Sequence, residues 1–438
     1  MSTKISRTAA GYAIPTVWIL ILVALYGQLS PVTRLLGATV GLLVSIKLAS
    51  VLLLSAQSRA YTLSPVQWLL FWTAWPGVRP DLFAGTHGHE HGPEARQFLE
   101  GYLFVVAGGT LVVVSVLAVP VVGGEASTWL LIAGLLATVH LGVGRLLPFG
   151  LRWLGYSVPD LFRAPLASRS VGDFWSVRWN RPFVNMNRLL LTRPLGTRFG
   201  MAVAALVAFL VSGVLHELAI SYPAGAGWGL PLLYFVVQGG AYTVEQSLPV
   251  DVEARPVLGR LWTYAIVFVP LPLLFHGPFR TTFLLPVVEF GRSFLFAYPL
   301  TTYLGVALWI GAAAHVLVLA ASFQVPEKLG WKEDLQSLTR FNRKLMWTYG
   351  GFIVLTIVCF GVLTALFHGH FVAGEPVALG VAGMIAVFWT ARILVDLFYF
   401  SHEDWPGGIE FVVGHALLTS LFVLLVIIYG GTIIVHVL

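Results

Sequence analysis

Uninterrupted apolar runs recur along this chain, and many reach the roughly 20 residues that a helix needs to cross a bilayer. The runs predict membrane spans at about 12–29, 35–55, 102–122, 128–148, 200–221, 229–247, 259–275, 300–322, 346–367, 376–399 and 410–436. The fold class that follows is an all-α polytopic membrane protein with about 11 transmembrane helices. Two further apolar stretches are expected to be interfacial or re-entrant. Ser64–Trp75 is too short to span and ends in the breaker Trp75-Pro76-Gly77, which reads as a turn. Phe283–Phe296 is interrupted by Pro286 and Glu289. The first run, from about Gly11 to Leu29, exceeds the apolar core of a signal peptide and is expected to stay as a first helix. A module boundary is expected near 298–300. It separates a first domain, 1–298, from a four-helix membrane module, 299–438, of unassigned role.

Composition sharpens this picture. Of 438 residues, 57% are hydrophobic and only 11% charged, against about 25% charged in soluble domains. The formal charge of +6 points to topology rather than to nucleic acid, because the basic residues concentrate in alternate loops. Lys4, Arg7, Arg59 and Arg79 fall on one side, together with the eight arginines of 150–198, Arg255, Arg260, and the Lys and Arg residues of 327–344. The opposite loops hold little beyond Arg34 and Arg280. Lysine and arginine favour the cytoplasmic side, so the N-terminus is expected in the cytoplasm and the C-terminus outside. A single cysteine, Cys359, allows no disulfide within the chain.

Ionisable groups inside a membrane helix are costly, about 2.5–3.5 kcal/mol by insertion scales, so the few present are candidates for function. His216 lies well inside the run from Met201 to Tyr222, whose only charged residue is Glu217. Ser212 and Phe209 share its helical face. A neutral imidazole there can take a proton from an alcohol; the competing reading is a packing histidine. Upstream, Asp173-Phe174-Trp175-Ser176-Val177-Arg178-Trp179-Asn180-Arg181-Pro182 is aromatic and basic. As a helix over 174–180 it would put Asp173, Val177 and Asn180 on one face, with Pro182 as its stop. The alternative for that stretch is an interfacial helix anchored by tryptophan, with Asn180 capping its C-terminus. Arg178, Arg181 and Arg188 suit phosphate groups, or equally anionic lipid headgroups. His87-Gly88-His89-Glu90-His91, His368 with His370, and Ser401-His402-Glu403-Asp404 read as hydrated loops, and no metal is expected. His140, His315 and His415 lie within spans and read as polar links between helices. No G-x-S-x-G elbow is present.

The two pieces together resemble the wax synthase branch of the membrane-bound O-acyltransferase family, which carries a D-F-W-G-R-R-W-N-like segment and then an apolar helix reading V-S-G-x-x-H-E. The second piece is Val211-Ser212-Gly213-Val214-Leu215-His216-Glu217 here; the first departs at Ser176-Val177, where the branch often has Gly-Arg. The resemblance covers roughly residues 10–298. It implies that family's helical core and transfer of an acyl group from acyl-CoA, a co-substrate with no other cofactor, to a hydroxyl acceptor, typically a lipidic alcohol. It implies catalytic roles for His216 as general base and Asn180 as the second active-site polar residue. Substrate-binding roles are expected for Trp175, Arg178, Trp179, Arg181, Ser212, Glu217 and Glu245. One alternative is O-acetylation of a polysaccharide or secreted glycan, although that branch typically shows Trp-His where this chain has Trp179-Asn180. Another is a non-enzymatic transporter using His216, Glu217 and Glu245 as a pathway; it would predict inverted repeats, which the sequence does not show.

Overall fold

The computed structural model describes residues 2–56, 62–84, 94–247, 255–400 and 408–437, with backbone alone for 2–8, 55–56 and 189–190. The tracts His87–His91 and Ser401–Asp404 lie outside the described residues. The described chain is helical and contains no strand. It divides into two compact units, 1–291 and 292–438.

The first unit holds seven long helices. They are α1 (Ser2–Ala24), α2 (Pro31–Leu54), α3 (Ala95–Leu117), α4 (Gly124–Trp153), α5 (Met201–Ala224), α6 (Leu230–Ser247) and α7 (Pro256–Leu274). The second holds α8 (Leu300–Ser322), α9 (Arg340–Leu366), α10 (Pro376–Phe398) and α11 (Ile409–Val437). Nine of these are long and apolar enough to cross a membrane among the described residues: α2–α5 and α7–α11. The other two expected spans are also helices. The apolar part of α1 is Ala9–Ala24, and α6 is 18 residues long. Phe283–Phe296 is not broken at Pro286: a helix runs Leu285–Leu295. It continues directly from Gly277–Phe279 and the π-helical turn Arg280–Leu284, so Pro286 lies inside a continuous helical stretch, just after the π-helical turn.

Small residues let two helices approach closely. A Cβ on Gly108 of α3 would lie 2.7 Å from the Gly134 carbonyl oxygen of α4, and one on Gly134 would lie 2.8 Å from that of Gly108. The two backbones therefore touch, as glycine permits between membrane helices.

Ser64–Trp75 forms Pro65–Leu69 and a π-helical turn, Leu70–Ala74, which ends at Trp75. The buried ammonium of Lys47, on α2, closes this end. Its Nζ donates to the carbonyls of Phe71 and Trp75, both at 2.5 Å, and sits 4.6 Å from the Phe71 ring centre. A cation at a helix C-terminus meets unsatisfied carbonyls and the negative end of the dipole. The turn at Trp75-Pro76-Gly77 is thus a cation-binding helix end as well.

In the second unit, α8, α9, α10 and α11 surround a core that includes Leu308, Phe360, Ile385, Trp389, Leu425 and Tyr429. Two of the expected polar links are here. His315 donates from Nδ1 to the Gly311 carbonyl (2.8 Å) and accepts at Nε2 from Trp389 Nε1 (3.2 Å). His415 Nε2 lies 3.1 Å from Asp396 Oδ2, and Arg392 Nη1 lies 3.2 Å from Oδ1. The hydrated-loop reading of His368 and His370 is corrected: both belong to the helix His368–Ala373. His368 is bonded to the Gly305 carbonyl (2.8 Å) and stacked on Trp309, and His370 Nδ1 lies 2.8 Å from Glu375.

Candidate active site

The aromatic-basic stretch does not form one helix to Asn180. Val171–Asp173 continues as a π-helical turn over Phe174–Arg178, closed by the bond from Trp179 N–H to the Phe174 carbonyl (2.8 Å). Trp179 is extended, and Asn180 takes the left-handed conformation, φ 42° and ψ 57°. Asp173, Val177 and Asn180 therefore do not share a helical face. Pro182 does not stop a helix but sits in the first turn of the next, Arg181–Asn187, where its fixed φ is already helical. Asn180 is that helix's N-cap: its Oδ1 accepts the Phe183 N–H at 3.3 Å.

His216 lies in α5, 15 positions after Met201, or about 22 Å along the axis. Its Nδ1 is 2.7 Å from the Ser212 carbonyl oxygen. A carbonyl only accepts, so Nδ1 carries the proton and Nε2 presents a lone pair. Ser212, itself buried, serves this histidine through its backbone. The half-buried imidazole packs on Phe235 of α6, ring centres 4.4 Å apart. A π-helical turn, Glu217–Ser221, follows immediately; such turns recur at functional sites.

One stripe of α6 gathers both pieces. Phe235 touches His216 and also Trp175 (5.5 Å between centres). One turn on, the buried Gln238 accepts from Trp175 Nε1 at 3.0 Å and donates to the Ile266 carbonyl of α7 at 2.7 Å. Tyr242 packs on Phe209, which also meets Trp175. Glu245 then receives the N–H groups of Val171 (2.7 Å) and Gly172 (3.1 Å) and the indole N–H of Trp262 (2.7 Å). Its carboxylate fixes the start of the helix that carries Trp175. Glu217 plays a parallel part at the other end of α6: Oε1 accepts the Leu232 N–H at 3.0 Å, while the buried Oε2 has no hydrogen-bond partner among the described residues.

The remaining predicted residues have partners of their own. Trp179 stacks between Phe174 and His140, at 5.3 and 5.4 Å. Arg178 pairs with Asp173 at 2.7 Å and donates to the Arg163 and Ala164 carbonyls. Arg181 reaches the Asp160 carbonyl at 3.5 Å. Arg188 is exposed and makes no ion pair among the described residues. Trp175 and His216 are brought together through Phe235; Asn180 and His216 share no hydrogen bond or ring contact.

Residues 158–237, which contain both pieces, match the membrane bound O-acyl transferase family. That stretch is similar to the family, and the similarity takes in both pieces. It is similar to an acyl-CoA–sterol O-acyltransferase of Arabidopsis thaliana, 30% identical over 132 residues that cover 27% of this chain and 38% of the relative. It is also similar to a probable long-chain-alcohol O-fatty-acyltransferase of the same plant, at 26% over 168 residues, covering 33% and 50%. A long-chain-alcohol O-fatty-acyltransferase of Simmondsia chinensis is 32% identical over 117 residues, covering 24% and 33%. The matches thus span half or less of these relatives' length. No solved structure matches the chain.

The groups that sequence reasoning missed are Phe235, Gln238 and Tyr242. Gln238 was legible in principle, as an uncharged polar residue in the middle of an apolar run. Phe235 carried no signal, being one apolar residue among many. Glu245→Ala is expected to cost about 2–3 kcal/mol, because three N–H donors lose a charged acceptor, with Glu245→Gln costing less. The thermal unfolding midpoint of the detergent-purified protein measures it, and an unchanged midpoint for the alanine variant would contradict the clamp.

Proposed function

We propose that residues 1–298 catalyse transfer of an acyl group from acyl-CoA to the hydroxyl of a lipidic alcohol. The observation that carries the reading is the bond from His216 Nδ1 to the Ser212 carbonyl, which leaves Nε2 as a proton acceptor beside the aromatic stripe. The acceptor's hydroxyl proton passes to Nε2 as its oxygen bonds to the thioester carbon. The carbonyl becomes a tetrahedral oxyanion, to which the Asn180 amide N–H groups can donate. The carbon–sulfur bond then breaks, and the thiolate of coenzyme A takes the proton back from the imidazolium. Membrane residence suits such substrates, since each buried CH₂ of an acyl chain is worth about 0.8 kcal/mol.

Two relatives are named for long-chain alcohols and one for sterols, which supports a lipidic hydroxyl as the acceptor. The test is thiol release from palmitoyl-CoA by the purified protein, with hexadecanol and a sterol supplied separately. Release above background with neither acceptor present, or with neither one effective, refutes the reading. Residues 299–438 are assigned no step.

The acyl donor is made in the cytoplasm, so the reading also requires the arginine-rich side to face it. That side contains the helix ends near 153–201, and the positive-inside bias supports this orientation. In a Cys359→Ser background, a cysteine replacing the exposed Thr197 is expected to react in intact cells with a permeant maleimide only. Labelling by an impermeant maleimide reverses the orientation.

A further inference from the structure

A cleft of about 430 Å³ that His216 does not line lies between the second and third turns of α3, the second turn of α7, the second half of α4 and the segment 164–167. Ligand sites typically enclose about 300–1,000 Å³. Phe104, Leu141 and Leu166 give it apolar walls, and Glu100, Arg145 and Arg260 are its charged groups.

The charges are unequal. Glu100 is held by two guanidiniums, Arg96 Nε at 2.8 Å and Arg145 Nε at 3.2 Å. Arg145 is 7% exposed, donates from Nη1 to the Leu141 carbonyl and lies over the Phe104 ring at 5.2 Å. It is therefore a fixed cation. Arg260 is exposed and makes no ion pair among the described residues. Three arginines, Arg96, Arg145 and Arg260, thus stand in or beside the cleft against the single carboxylate of Glu100, which leaves positive charge in excess.

The wall over 164–167 is also unusual. Ala164 has φ 44°, one of two non-glycine residues with positive φ among the described residues; the other is Asn180. An alanine there costs about 1–2 kcal/mol, and such strain gathers at ligand clamps. The wall is held in place by Arg178, which donates to the Arg163 and Ala164 carbonyls, and by the Tyr264 hydroxyl, which donates to that of Leu166. Arg178 in turn bonds Asp173, so this wall and the Trp175 helix share one linkage.

We propose that this cleft binds the phosphate group of an amphiphile. Guanidinium forks match phosphate oxygens. The apolar walls take the part of the ligand next to the phosphate, and the level of Glu100 and Arg260, one to two turns from the starts of α3 and α7, suits a headgroup. Basic pockets between membrane helices bind such groups. The phosphate can belong to a membrane phospholipid or to the coenzyme A moiety of the donor.

The test is direct binding, which is independent of whether acyl transfer is observed. Coenzyme A and phosphatidylglycerol are titrated separately, by calorimetry, into the detergent-purified full chain and its Arg260→Ala and Arg260→Glu variants. Arg260 is exposed, so these variants are expected to fold. Arg260→Glu should weaken one ligand about tenfold or more, with alanine intermediate. Loss for coenzyme A identifies the donor as the source, and loss for phosphatidylglycerol identifies the lipid. Kd values within twofold of the unaltered protein for both ligands, or no saturable binding of either, overturn the proposal.

Discussion

Replacing His216 with alanine is expected to lower single-turnover acyl transfer by at least about 10²-fold, the lower end of what a general base contributes. The geometry makes this specific. The Nδ1–H is committed to the Ser212 carbonyl, so Nε2 is the only ring nitrogen able to accept the alcohol proton. The imidazole is held by that bond and by Phe235, so a general-base role would draw on its position as well as its basicity. Coenzyme A binding should change little, and it serves as the check that the variant folds. Transfer within a few-fold of the unaltered enzyme, with binding intact, would remove His216 from the chemistry and leave it as a packing histidine.

Asn180 is expected to show the second large effect, and its backbone supplies an internal control. At φ 42° an alanine pays about 1–2 kcal/mol of strain, whereas glycine adopts the conformation freely. As an N-cap, glycine costs only a few tenths of a kcal/mol relative to asparagine. If the amide serves the oxyanion, Asn180→Gly and Asn180→Ala should both lower transfer by about 10²–10³-fold. Near-normal transfer by the glycine variant, with loss confined to alanine, would show that Asn180 acts only through the backbone. Combined with His216→Ala, the loss should be less than the product of the single losses, as for groups that act on one reacting centre. Full additivity would place the two residues at separate tasks.

The membrane spans were legible because lipid forces every backbone polar group into helix hydrogen bonds, so an apolar run of sufficient length has one solution. His216 and Glu245 were legible for the same reason in reverse, as polar groups in runs that disfavour them. What they bond to was not. Glu245 holds backbone N–H groups of Val171 and Gly172, and Lys47 holds carbonyls of Phe71 and Trp75; backbone partners leave no mark in a sequence. The helical face assigned to Asp173, Val177 and Asn180 failed for a different cause. It assumed 3.6 residues per turn, and the chain makes a π-helical turn there and then leaves the helix. Six further π-helical stretches occur among the described residues, all before residue 292. Each shifts the faces that follow it, and none has a composition that announces it. Arg178, expected at a substrate phosphate, also bonds Asp173 and two carbonyls, partners that the sequence did not announce.

The carbonyl cage around Lys47 bears on how the protein is made. When α2 leaves the ribosome and meets the translocon, the cage carbonyls are not yet made, and a charge inside a membrane helix opposes insertion, by up to about 2.5–3.5 kcal/mol at the centre. The acceptors that quiet it, on Phe71 and Trp75, are synthesised 24 and 28 residues later. Integration of α2 is therefore expected to strengthen once the chain beyond Trp75 is made, and a nascent chain stalled before Phe71 is expected to hold its second helix less firmly than one stalled after Trp75.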